Sequence, residues 1–269
     1  MKLQQLIEII ETIAPKSLAE SWDNVGLLAG DKEREITNGV LCLDITDKAY
    51  QMCREKNAGI CICHHPFLFD PIKKMDFADP YFALLRKFIQ ADIAIYAAHT
   101  NLDACVGGVN DALGEKLDLR AEATFIPSGV PFDFQKEVVS GIGRICVQKK
   151  ETSLFDFYHT IRQKLQTSGC HINFDRDRPI RRILITGGAY DSIWNTDVLD
   201  NGIDVVLSGE IKHRDMVFFD RCGVAAIAAG HDATERVVLP VLAERLNRLG
   251  DVRFDVCSSS QNVMIQGLL

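Results

Sequence analysis

The chain has 269 residues, 47% of them hydrophobic, and 30 Lys and Arg against 37 Asp and Glu give it a formal net charge of −7. That is enough apolar material for one large α/β domain or two smaller lobes, while the acidic balance and a pI near 5.5 argue against a general polyanion-binding surface. No run reaches the roughly 20 apolar residues of a membrane span, and Glu8 and Glu11 interrupt the amino-terminal apolar residues, so neither signal peptide nor membrane segment is expected and a cytoplasmic location is.

Residues 3–13 carry apolar positions at helical spacing and Pro15 bounds them, which predicts an amphipathic helix. Gly39–Thr46 reads as a strand, Lys48–Lys56 as a helix stopped by Asn57-Ala-Gly59, and Ile60–Cys63 as the next strand. A strand, helix and strand at this spacing form a right-handed crossover unit. Pro80–Gln90 is a further helix, leading into a strand from Ile93 to Ala98. Pro127-Ser-Gly-Val-Pro131 is turn-rich and marks the expected division into lobes at 1–126 and 127–269. Gly141–Val147 predicts a strand, Ser153–Gln166 a helix capped by Thr152 or Ser153, and His171–Phe174 a short strand. Arg182–Thr186, Asp191–Leu199 and Ile203–Leu207 then repeat strand, helix, strand, and Ile183 precedes Ile203 by the same 20 positions that separate Val40 from Ile60. The expected fold is therefore α/β, with two related lobes of largely parallel strands flanked by helices. The nine cysteines include no Cys-x-x-Cys pair and several fall in apolar runs, so they read as reduced core thiols.

Three apolar runs end on histidine: Ile60–Cys63 before His64-His65-Pro66, Ile93–Ala98 before His99, and Ala225–Gly230 before His231. Such runs read as buried parallel strands, and ligand-binding groups collect at the carboxyl ends of such strands. A carboxylate follows at four positions in two cases, Asp103 after His99 and Glu235 after His231; the latter pair opens an expected helix running through Leu246. Imidazole and carboxylate together suit a divalent metal of borderline or hard character, and zinc, iron, manganese and nickel are all compatible. Ser208-Gly-Glu210 also lies beyond a predicted strand, where Glu210 is a general base or the partner of Lys212 or Arg214. Trp22-Asp23-Asn24 either lines a pocket mouth or is a buried Trp beside an Asx turn. Gly187-Gly188 either approaches a phosphate or forms a tight turn. His159 and His171 read as structural.

Trp22-Asp-Asn-Val-Gly-Leu-Leu28, His64-His-Pro-Phe67, His99-Thr-Asn-Leu-Asp103, Gly108-Val-Asn-Asp-Ala-Leu113, Ser208-Gly-Glu210 and Gly230-His-Asp-Ala-Thr-Glu235, in this order, resemble the Nif-three-like family, whose bacterial members are labelled GTP cyclohydrolase type-two homologues. The resemblance implies a two-lobed α/β protein with a dinuclear metal site in the cleft between the lobes. Carried over by motif, His64, His65, Asp103, His231 and Glu235 are metal ligands, and His99 is a neighbouring catalytic or supporting group. Five ligands serve two ions roughly 3.5–4 Å apart if Asp103 or Glu235 bridges and water completes the shells. The expected function is a metal-dependent hydrolase acting on a small, nucleotide-like molecule, with His99 and Glu210 as catalytic groups. The alternative is a non-catalytic metal-binding scaffold or regulatory protein. The resemblance also implies a ring-like homohexamer; nucleic acid and membrane are not expected partners.

Overall fold

The computed structural model describes residues 1–129 and 138–258. Helix α1 (Leu3–Ile13) buries Leu3, Leu6, Ile7, Ile10 and Ile13, one face at helical spacing. Strand β1 (Gly26–Ala29) and β2 (Asn38–Cys42) follow. Helix α2 (Asp47–Glu55) starts where the Thr46 hydroxyl accepts from the Ala49 amide, and leads to β3 (Ile60–Cys63). Asp79 caps α3 (Pro80–Gln90), whose first residue is the proline that a helix tolerates there, and β4 (Ala94–Ala97) comes next. Beyond it lie α4 (Thr100–Ala104), α5 (Val109–Lys116), β5 (Ala121–Pro127) and β6 (Gly141–Ser153). Ser153 caps α6 (Leu154–Leu165), followed by β7 (His171–Ile172) and β8 (Pro179–Ile185). The remaining elements are α7 (Asn195–Asp200), β9 (Val205–Ser208), α8 (His213–Cys222), β10 (Ala225–Ala228), α9 (His231–Glu235), α10 (Val238–Leu249) and β11 (Arg253–Val256). No helix among the described residues is long and apolar enough to cross a membrane.

The described residues form two compact units, one of 1–102 with 239–258, the other of 103–129 with 138–238. This differs from the expected division at 126 and 127. Strand β11 pairs in parallel with β2, which draws the carboxyl-terminal segment into the first sheet, and β5 pairs antiparallel with β6 in the second. Pro127 ends β5 opposite Gly141, so the turn-rich stretch lies within the second sheet's own connectivity; its residues 130 and 131 fall outside the described residues.

The first sheet has the order β1-β4-β3-β2-β11, the second β5-β6-β8-β9-β10-β7. In the first, β2, β3 and β4 are consecutive parallel neighbours and β1 runs antiparallel to β4. In the second, β8, β9 and β10 are consecutive parallel neighbours and β7 runs antiparallel to β10. The repeated spacing in the sequence therefore corresponds to a repeated four-strand order, and the two units are related α/β folds. Every residue of β3, β4, β9 and β10 is buried, as parallel strands covered on both faces require. Alternation is visible in the second sheet, where Ile183, Val205 and Ile227 pack with Phe157 and Ile161 of α6, while Leu184, Val206 and Ala226 pack with Val198 of α7 and Phe219 of α8.

Two local expectations are corrected. Strand β2 stops at Cys42 rather than Thr46, because the Cys42 and Leu43 carbonyls turn to accept the backbone amides of His64 and His65. The helix expected from His231 through Leu246 is two helices, α9 and α10, interrupted at residues 236 and 237. Pro240 has no N–H to offer the carbonyl four residues back and its ring crowds that carbonyl, so a continuous helix across Arg236 is disfavoured.

Cys222 is exposed and the other eight cysteines are buried, as core residues are expected to be. Among the described residues one arginine is fully buried, Arg144 on β6, and it is completely matched: it donates to both Asp111 oxygens at 2.6 and 3.1 Å and to the carbonyls of Gly141, Gly143 and Cys105. Asp111 also accepts from the Gly107 amide at 2.6 Å, so the pair ties β6 to the start of α5. Removing one partner leaves a buried charge uncompensated, at a cost of about 3–5 kcal/mol. Asp111→Ala is expected to lower the urea midpoint of unfolding by a corresponding amount, and a shift under about 1 kcal/mol would show that the pair is merely peripheral.

Candidate metal centre

His64 and His65 follow β3 at the carboxyl end of the first parallel sheet, and His99 follows the neighbouring β4. The turn after Cys63 lets adjacent histidines share a side despite strand alternation: the rings of His64 and His65 lie 5.0 Å apart, those of His64 and His99 5.2 Å, and those of His65 and His99 5.7 Å. Each of the three offers a ring nitrogen within 4.8 Å of the others, a group that can hold a metal ion.

The second ring nitrogens define the tautomers. His64 Nδ1 lies 2.8 Å from the Ala98 carbonyl, which can only accept, so Nδ1 carries the proton and Nε2 the lone pair. His65 Nδ1 donates to Asp44 at 2.8 Å and His99 Nδ1 to Asp23 at 2.9 Å. A histidine whose Nδ1–H is held by a carbonyl or carboxylate is oriented to ligate through Nε2. Asp23 is itself fixed: its side chain is closed to solvent and accepts from the Thr100 amide at 3.1 Å and the Thr100 hydroxyl at 2.5 Å. Burial opposes its ionisation, but the hydrogen bonds from His99 and Thr100 outweigh that and hold its pKa down to about 2. Buried Asn101 completes the corner, accepting from the His99 amide and donating to the Ala14 carbonyl.

In the second unit His231 opens α9 just beyond β10, and its Nε2 lies 3.0 Å from Oε1 of buried Glu235 on the same helix face. This is an ordinary hydrogen-bonding distance, and it also equals the roughly 3 Å between two ligands at about 2.0–2.2 Å from one ion set near a right angle, so the pair is compatible with a shared cation. His231 Nδ1 meets Glu210 at 3.1 Å. That corrects both expected partners of Glu210: neither Lys212 nor Arg214 takes it, and it braces the far nitrogen of His231. Gly188, with φ of +64°, lies against the pair; a Cβ there would stand 2.3 Å from Glu235 Oε1 and 3.4 Å from His231 Nε2. Gly187-Gly188 is thus a tight turn that leaves these donor atoms uncrowded.

Asp103 lies in α4, and its carbonyl accepts from Asn110 Nδ2 at 2.9 Å. Asn110 in turn accepts from the Gly187 amide at 2.9 Å, linking the backbone at Asp103 to the glycine turn beside Glu235. His159, His171 and His213 are exposed, and none joins a metal-capable group among the described residues. From the sequence, Asp23 is named only as lining a pocket mouth, and Asp44, Asn101 and Asn110 are not singled out as site residues. Asp44 had a signal, since it closes an apolar run just as the histidines do; Asn101 and Asn110 sit inside the quoted motifs but act through backbone contacts that spacing does not reveal.

The family profile described as Duf34/NIF3 (NGG1p interacting factor 3) matches residues 1–263. The chain belongs to this family. It is 31% identical over 264 residues to a GTP cyclohydrolase 1 type 2 homolog of Clostridium perfringens, covering 97% of this chain and 98% of that one. Among solved structures, a Bacillus cereus protein related to NIF3 superposes with a TM-score of 0.88 at 20% identity, covering 98% and 99% of the two chains. Staphylococcus aureus protein SA1388 does so with a TM-score of 0.87 at 25% identity, covering 98% of each. The α/β fold is that of the family.

Two outcomes test this geometry. Asp44→Ala removes the acceptor that orients His65 and is expected to weaken zinc binding by about 10–100-fold in a chelator competition, whereas unchanged affinity would deny Asp44 that task. A carboxyl whose pKa falls on folding stabilises the fold above its unfolded value and loses that contribution as pH drops through its folded value. The wild type is therefore expected to lose stability as pH falls from 3.8 to about 2, and Asp23→Asn to lose less over that window in acid unfolding.

Proposed function

We propose that this chain is a metal-dependent hydrolase of a nucleotide-like substrate, with His64, His65, Asp103, His231 and Glu235 as ligands for two divalent cations. The observation that carries the reading is that four strand-end histidines, His64, His65, His99 and His231, each have Nδ1 engaged by a protein oxygen. A histidine in a structural role has no need of such uniform orientation, whereas a ligand does. Imidazole with carboxylate suits zinc, iron, manganese or nickel. When bound, a divalent pair supplies Lewis acidity and brings the pKa of water toward neutrality.

The remaining chemistry belongs to the side chains. His99, its Nδ1–H held by ionised Asp23, is set to give or take a proton at Nε2, the role of a general acid or base. Glu210 is two-thirds exposed and meets His231 at Nδ1, which orients the imidazole. The carboxylates of Asp103 and Glu235 are those able to span two cations. The nucleotide class is supported by the relatives' name, GTP cyclohydrolase 1 type 2 homolog. The reading extends to a ring-like homohexamer, carried by the family resemblance, and keeps the cytoplasmic location expected from the charges and short apolar runs of the sequence.

Freshly purified protein is expected to contain a divalent metal by elemental analysis and to turn over GTP or another nucleotide in a hydrolysis screen. Asp103→Ala and Glu235→Ala should abolish turnover while circular dichroism stays unchanged. Undiminished turnover by both variants would overturn the proposal, and collapse of the fold on chelation would make the metal structural instead.

A further inference from the structure

Trp22, between Asp23 and Asn24, is the motif residue that neither the donor groups nor the core absorbs. It is 59% exposed, so the expectation of a buried Trp fails, and Asp23 accepts from the adjacent Asn24 amide at 2.8 Å rather than from the amide two residues on that an Asx turn uses. The exposure is built rather than incidental. On one side Asp23 is anchored to His99 and Thr100, and the Thr100 hydroxyl also receives the Glu20 amide at 2.9 Å. On the other, Asn24 Nδ2 donates to the Leu68 carbonyl at 2.5 Å, which draws the segment carrying Phe69 alongside. The indole is thus pinned at both flanks with its body in water, beside Phe69, itself 45% exposed, at 6.0 Å between ring centres. The two rings are inclined at 47°, so neither covers the other's face. The indole also meets His99 edge-on, 6.2 Å between centres at 73°.

We propose that Trp22 and Phe69 form a stacking platform for a planar heteroaromatic ring of the nucleobase class, placing that ring's edge beside His99. An exposed indole gains by covering its face with another π-system, and this one is held at fixed geometry next to the imidazole assigned to proton transfer. The inference rests on the hydrolase reading for its setting and adds what the substrate presents: a flat ring, recognised by its face, rather than a phosphate or a sugar alone.

The chain has two tryptophans, so a Trp194→Phe background leaves Trp22 as the sole indole reporter. Its fluorescence is followed while guanosine, adenosine, GTP and inorganic triphosphate are titrated into metal-loaded and chelator-treated protein. Saturable quenching by the nucleosides in both forms, absent with inorganic triphosphate, is the expected result. Trp22→Ala should weaken nucleoside binding by roughly 5- to 150-fold, read by calorimetry, with Trp22→Phe retaining part of it. Quenching by triphosphate as strong as by GTP, or no saturable quenching by any nucleoside, would overturn the platform while leaving the metal content and the hydrolase reading untouched. A Trp22→Ala variant that binds nucleosides normally but changes its assembly size would overturn it too, assigning the indole to contacts between copies of the chain.

Discussion

The structure turns on one repeated interaction, a histidine Nδ1–H held by a protein oxygen at the carboxyl end of a parallel strand. A neutral imidazole has one proton for two nitrogens, so fixing it on Nδ1 fixes the lone pair on Nε2 and fixes the ring plane as well. The acceptors differ: a backbone carbonyl for His64, Asp44 for His65, Asp23 for His99 and Glu210 for His231. Four independent solutions to one orientational problem are hard to explain by packing alone. They are what a ligand set requires, because metal affinity depends on how well the donor atoms are held before the ion arrives.

The fold exists to supply those strand ends. In each unit three parallel strands in sequential order, edged by an antiparallel strand, deliver one histidine-bearing turn after the third strand. In both cases a carboxylate follows four residues later, Asp103 after His99 and Glu235 after His231. The positions after the middle strands differ, His64-His65 in one unit and Gly209-Glu210 in the other. The repeated architecture therefore carries unlike chemistry, imidazole-rich in the first unit and carboxylate-rich in the second.

Much of this was legible in the sequence because parallel strands buried on both faces leave unbroken apolar runs, and the residue that ends such a run stands out. Helix α1, strand β3 and helix α3 have the bounds their periodicity predicted, and α6 has the Ser153 cap that was one of the two expected. What the sequence concealed depends on pairing between distant segments. The unit boundary follows from β11 joining β2, a contact between residues more than 200 positions apart that no local composition shift announces. Glu210 turns to His231 because the Tyr190 amide and the Gly188 carbonyl hold its backbone, not because of the cations next to it in sequence. Trp22 is exposed because its two neighbours are anchored elsewhere, a consequence invisible at the level of residue type.

The most direct test of the central claim is a long-range proton–nitrogen correlation spectrum of protein carrying nitrogen-15 in its histidines, recorded before and after addition of zinc. The account predicts that His64, His65 and His99 are Nδ1–H tautomers in the metal-free protein and that the zinc-induced shifts of the ligands His64, His65 and His231 fall on Nε2. Nε2–H tautomers at His64 and His65, or zinc shifts on their Nδ1 atoms, would contradict it.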